Sequence, residues 1–175
     1  MNQEYTLLSV IDKFGTVPGK KALHKITYFT NLQTDDFIYR WNNYGPYSEE
    51  VQQFFDDAYL NDNIAVDEIQ LNNVARQYNT SLTEQGTTRL EYFRNINNEN
   101  YERINSSIDF AYNLLNEKNP RQMEILASVH YIINYDCTFD SERILEIINQ
   151  LKPQSHFTLE EVTEALTILH GVQLA

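Results

Sequence analysis

The sequence predicts a mostly helical α+β protein, and three observations carry that prediction. Apolar residues recur at three- and four-residue spacing along most of the chain, which is the helical period. Residues 64–71 and 76–82 instead alternate and flank Asn72-Asn73, a pattern for a two-stranded hairpin. Between them and the first helices stands a rigid corner, Tyr44-Gly45-Pro46-Tyr47-Ser48, that launches an amphipathic helix. Two helices, a corner, a third helix and a hairpin make a winged helix-turn-helix with a two- or three-stranded small sheet. A C-terminal helical bundle extends it.

Each element has a local reason. Leu7, Leu8, Val10, Ile11 and Phe14 predict a helix over 4–14, stopped by Gly15. Thr16-Val17-Pro18-Gly19 reads as a turn. Ala22, Leu23, Ile26 and Phe29 give the inner stripe of a second helix over 20–32. Thr34-Asp35-Asp36 breaks the chain, and 37–41 reads as a strand.

The corner is specified residue by residue. Gly45 reaches dihedrals closed to other residues, and Pro46 fixes its own φ while keeping Gly45 out of the α region. Tyr47 or Ser48 is the expected cap of the next helix, Ser48 having a hydroxyl for the first free N–H groups, and Glu49 and Glu50 fall where the helix dipole favours negative charge. Val51, Phe54, Phe55 and Ala58 form one buried stripe.

After the hairpin, Leu82-Thr83-Glu84-Gln85-Gly86 resembles the join that follows the wing in many winged-helix regulators, with Thr83 as cap. Leu90 and Phe93 predict a helix over 87–96, and the Asn-rich residues 95–100 predict a break or kink. Tyr101, Ile104, Ile108, Ala111 and Leu115 mark the next helix. Asn119 as cap and Pro120 at the first position open another, with Met123, Leu126, Ala127, His130 and Ile133 inward. A helix over 139–151 follows, with Ile144, Ile147, Ile148 and Leu151 on one face, ended by Lys152-Pro153. Thr158 and Glu161 make a capping box for the last helix, with Leu159, Val162, Leu166 and Leu169 inward. The expected domains are 1–96, winged-helix-like, and 97–175, a helical extension sharing its core.

Composition narrows the function. With 25 acidic against 13 basic residues, the formal net charge is −12, which argues against non-specific attraction to phosphate or anionic lipid. One cysteine, Cys137, excludes an internal disulfide and suits a reducing compartment. The segment MNQEYTLLSVIDKFG lacks a basic start and a long apolar run, so no signal peptide is expected. No stretch reaches membrane-spanning length. A cytoplasmic bacterial or phage protein is expected.

No catalytic or metal constellation is expected, and no cofactor. His24, His130, His156 and His170 are not spaced as helical metal pairs. His130 reads as a satisfied core histidine and Cys137 as a half-buried filler. The glycines are too dispersed for a phosphate loop. The third helix speaks against DNA: Tyr47 to Asp62 contains no Lys or Arg, and Pro46 to Leu82 holds seven acidic residues against Arg76 alone. The expected partner-binding surface has two parts. One is a basic cluster of Lys20, Lys21, His24, Lys25 and Arg40, with Tyr28, Tyr44 and Tyr47 as aromatic anchors. The other is the acidic face of the third helix, Glu49, Glu50, Asp56 and Asp57. Gly45, Pro46 and Ser48 hold the corner between them.

The run Gly19-Lys20-Lys21-Ala22-Leu23-His24-Lys25-Ile26-Thr27-Tyr28-Phe29 carries a Lys-x-x-Leu-His/Gln-Lys-x-x-Tyr pattern. Followed at this spacing by Tyr44-Gly45-Pro46-Tyr47-Ser48, it resembles the Panacea (SocA-like) domain family and the related YwgA-type proteins. Lys152-Pro153 to Leu169 is similar to the tail of YwgA-type members. The resemblance implies a non-enzymatic protein-binding regulator, an antitoxin or an adaptor that hands a toxin to a protease. The strongly acidic third helix and the longer helical C-terminal half depart from the family pattern. The alternative expectation is a DNA-binding transcriptional regulator, dimeric through its C-terminal helices.

Overall fold

A computed structural model describes residues 2–70, 76–96 and 99–175, the side chains of Glu99 and Asn100 excepted. The expected turn at Asn72-Asn73, and Asn97 and Asn98 of the expected break, lie outside the described residues. Among the described residues the chain is mostly helical with two small antiparallel sheets, an α+β arrangement. In chain order the elements begin α1 (Asn2–Phe14), β1 (Val17–Pro18), α2 (Lys20–Thr34), β2 (Arg40–Asn42), β3 (Gly45–Tyr47), α3 (Glu49–Leu60), β4 (Ile64–Gln70) and β5 (Arg76–Leu82). They continue α4 (Glu84–Ile96), α5 (Glu99–Leu115), α6 (Pro120–Asp136), α7 (Ser141–Leu151), a 3-10 turn (Pro153–Ser155) and α8 (Leu159–Gly171).

The chain divides into two units: Met1–Tyr39 with Ser48–Glu117, and Arg40–Tyr47 with Lys118–Ala175. This differs from the division expected near residue 96, because α5 packs along α1 and α2.

In the first unit, α1 is buried continuously from Tyr5 to Ile11, so it is a central helix rather than a one-sided surface helix. Each of Leu7, Leu8 and Ile11 contributes about 1.5–3 kcal/mol by leaving water. Tyr5 stacks on Tyr101 at 3.8 Å between ring centroids and meets Phe93 edge-on at 6.2 Å. Its hydroxyl donates to Asn105 Oδ1 at 2.8 Å, so the one polar atom on this ring is satisfied.

The hairpin forms as the alternation predicts: β4 pairs β5 from Ile64↔Leu82 to Gln70↔Arg76. Its third strand comes from an unexpected place. Val17 and Pro18, read as a turn, pair with Thr80 and Asn79, giving sheet order β1-β5-β4. The proline sits on an edge strand, where its missing N–H costs little.

The hairpin base is fixed to α4 by the Leu-Thr-Glu-x-Gly segment. Thr83 Oγ1 accepts from the Gly86 N–H at 3.0 Å and donates to the Asp62 carbonyl at 2.5 Å. The Thr83 N–H donates to the Asn63 carbonyl at 3.1 Å. Gly86 then passes so close to Asn63 that a Cβ would stand 1.9 Å from that carbonyl oxygen. Glycine is required here by proximity.

The strand expected over 37–41 is displaced to Arg40–Asn42. Asn31 explains this: its side chain accepts the Phe37 N–H and donates to the Phe37 carbonyl, both at 2.8 Å. With both backbone groups served by one amide, Phe37 is held without a strand partner.

In the second unit, β2 pairs β3 antiparallel, with Trp41 opposite Pro46, so the corner is itself a strand in a small hairpin. β3 packs on α6, α6 on α8, and α7 on α8. Asn119 and Gln122 form one capping box, and Thr158 and Glu161 the other. Arg121 straps the α7–α8 connection: it binds Glu161 at 2.7 and 3.0 Å and donates to the carbonyls of Ser155 and His156 at 3.1 and 3.0 Å. Leu151 and Leu159, expected inward, are exposed at opposite ends of that connection. Cys137, expected half-buried, is exposed at the left-handed residue that ends α6. Among the described residues no helix is long and apolar enough to cross a membrane.

Candidate functional site

His24 of the first sequence motif and Ser48 of the second are in contact. Ser48 is buried and caps α3, accepting the Val51 N–H at 3.3 Å. Its own N–H points at His24 Nδ1 of α2, 3.4 Å away. A backbone donor at the positive end of α3 requires that nitrogen to be an unprotonated acceptor. Burial, then the nearby Lys25 charge, push the imidazole down to about 3, so it is neutral at physiological pH. Tyr39 completes the contact: its hydroxyl donates to Thr27 Oγ1 at 2.8 Å, and burial raises the phenol above its ordinary value. Thr27 in turn bonds to the Leu23 carbonyl at 2.8 Å.

This corrects the expected basic patch. His24 is 4% exposed, Lys25 2% and Tyr28 6%, so these three do not present a surface. The helical spacing placed them off the apolar stripe, but α2 is buried continuously from Ala22 to Thr30. Lys20 and Lys21 are exposed. Lys20 Nζ lies 3.1 Å from Asp56 Oδ1 and 4.4 Å from the Phe55 ring centroid. The two parts of the expected surface are therefore joined through one ion pair, worth under about 1 kcal/mol at this exposure.

On α3, the four carboxylates have different tasks. Glu50 Oε2 accepts the Ile38 N–H at 2.7 Å and holds the segment that follows α2. Asp56 takes both contacts of the Gln52 amide, at 2.9 and 2.8 Å, and these, then Lys20, hold its carboxylate below the ordinary value. Glu49 and Asp57 are exposed, and among the described residues neither carboxylate is in an ion pair. Val51, Phe55 and Ala58 turn inward, with Phe54 half-buried. The outer side of α3 is thus acidic, with no Lys or Arg in the helix itself and Lys20 of α2 paired to its Asp56.

Arg40, Tyr44, Gly45, Pro46 and Tyr47 belong to the second unit. Gly45 has φ +81°, the conformation the corner demanded, and Gly45 and Pro46 are buried. The Tyr44 ring lies over Lys152 Nζ at 5.5 Å, and Phe157 flanks the same ammonium at 5.4 Å. Lys152 pairs with Glu124 of α6, its side chain only 3% exposed. In the sequence Lys152 reads only as the residue that ends α7 with Pro153. Its burial is a tertiary fact with no local signal, since Lys-Pro after a helix reads simply as a stop. Trp41 packs on Tyr131 at 5.7 Å, and Tyr131 stacks on Tyr135.

Among the described residues no group of three His, Cys, Asp or Glu side chains is placed to hold a metal ion. His130 is buried as expected of a core histidine, and burial lowers it to about 4. No protein-family model and no curated protein matches this chain.

Proposed function

We propose that the first unit is a winged helix-turn-helix that binds protein, acting in the cytoplasm as an antitoxin or proteolytic adaptor of the Panacea (SocA-like) kind. The order α1-β1-α2-α3-β4-β5 and the sheet order β1-β5-β4 support the winged-helix reading, with β4–β5 as the wing. The meeting of the two family motifs at His24 and Ser48 supports the kinship.

The observation that carries a protein partner over DNA is the outer face of α3. A winged helix that reads DNA lays this helix in the major groove, flanked by phosphates. Here that face carries Glu49, Asp56 and Asp57 and no Lys or Arg, and the nearby Lys20 is already held by Asp56. Such a surface releases few counterions from DNA and repels its backbone. A basic protein surface is its electrostatic complement.

The test is capture from the native host with the purified chain, followed by the same capture with Glu49→Lys and Asp57→Lys. A partner identified by mass spectrometry that the reversed face releases is the expected result. Failure to recover any such partner, together with a specific low-salt mobility shift on host DNA, would replace this reading with a transcriptional regulator.

A further inference from the structure

We infer that a cleft between α1, α3 and α4 receives an arginine side chain of the partner. This rests on the reading of α3 as a protein-docking face and names what enters it. The cleft has a volume of about 590 Å³ and lies wholly within the first unit. Phe54, Asp57 and Ala58 of α3, Glu4 of α1, and Arg89 and Tyr92 of α4 line it.

Three features point to a cation. First, the one cation in the wall is already satisfied: Arg89 grips Glu4 through two bonds, 2.9 and 3.0 Å, and lies 4.4 Å over the Phe93 ring. Second, Asp57 opens into the cleft and, among the described residues, is in no ion pair. Third, the C-terminal turn of α3 reaches the cleft through Ala58 and Asn61 and has no basic residue of its own. A helix C-terminus carries the negative end of the dipole and favours a cation there. Asp57 adds a full negative charge to that end.

The aromatic walls select the kind of cation. Tyr92 is 55% exposed and Phe54 half-buried. The Tyr92 ring already has the Arg89 guanidinium 5.6 Å from its centroid, so a partner guanidinium stacks on the part of the ring left exposed while its fork meets the carboxylate; a lysine ammonium does only one of these well. The floor is fixed in advance: Gln85 Nε2 donates to the Asn61 carbonyl at 2.7 Å, tying the end of α3 to α4.

The probe is an acetylated tetra-arginine peptide, titrated into the whole chain and followed by amide NMR at low salt, with tetra-lysine as the charge-matched control. Expected are saturable shifts at Asp57, Asn61, Thr88 and Tyr92, with arginine binding tighter than lysine. Asp57→Asn and Tyr92→Ala should each weaken arginine binding about fivefold or more. Asp67→Asn, which removes the same charge from β4, should leave it unchanged, and Tyr92→Phe should retain it. Shifts spread evenly over Asp67, Glu68 and Glu117, or wild-type affinity in Asp57→Asn and Tyr92→Ala, overturn the inference. The titration needs no identified partner, so it decides the cleft separately. A partner captured equally by wild type and by Asp57→Asn with Tyr92→Ala sinks the cleft and leaves the docking face standing.

Discussion

Acidification should unfold this protein through two buried imidazoles. His24 and His130 are held to about 3 and about 4 in the folded state, against 6.5 when unfolded. Below pH 6.5 the unfolded chain takes up two protons that the folded chain refuses. The stabilisation is therefore complete above 6.5 and is lost as pH falls toward 4 for His130 and 3 for His24. At pH ~5 the solution is about 1.5 units below the unfolded imidazole value and still above both folded values, so at ~1.4 kcal/mol per unit each imidazole costs about 2 kcal/mol. The pair removes about 4 kcal/mol from a total that for a domain is about 5–15 kcal/mol. The net charge of −12 works in the opposite direction, since protonation relieves acidic repulsion. The assay must therefore be a difference. Urea unfolding of wild type and of His24→Gln with His130→Gln, from pH ~7.5 to ~5, should give a steeper loss in wild type by about 4 kcal/mol. Imidazole proton shifts supply an independent readout, and neither residue should titrate above pH 5. Parallel stability curves, or a His24 midpoint near 6.5, would refute the reasoning.

Two further outcomes test the packing. Gly86→Ala must push α4 away from the Asn63 backbone, since its Cβ would stand 1.9 Å from a carbonyl oxygen, and should destabilise by about 3 kcal/mol or more in urea unfolding. A loss under about 1 kcal/mol would mean the α4 contact is loose. Lys152→Met strands the Glu124 carboxylate and removes the cation from between Tyr44 and Phe157, at a cost of about 3 kcal/mol. Adding Glu124→Leu should restore most of it, and a double mutant no better than the single would show that the ion pair is not the source.

What could be read from the chain alone follows a physical divide. The Ser48 cap, the Asn119-Pro120 start and the Thr158/Glu161 box need only residues within one helical turn, and all stand where expected. The alternation of β4 and β5 was equally local. By contrast, β1 exists only because Val17 and Pro18 meet Thr80 and Asn79 from a distant part of the chain. Asn31 replaces the strand expected at Phe37 by side-chain hydrogen bonds that no propensity encodes. The site shows the same split. The acidity of α3 was visible at once, whereas the burial of His24, Lys25 and Tyr28 was not, because α2 is enclosed on more than its apolar stripe.

Glu50 is committed to the Ile38 N–H, and Asp56 to Gln52 and Lys20. If α3 is the docking face proposed above, a partner meets two carboxylates that are in no ion pair among the described residues, Glu49 and Asp57. Its ionic-strength dependence should follow that smaller number, because each occupied oxygen must first be released from its own scaffold. Added salt should therefore loosen the association gently, leaving shape and aromatic contact to hold most of its lifetime.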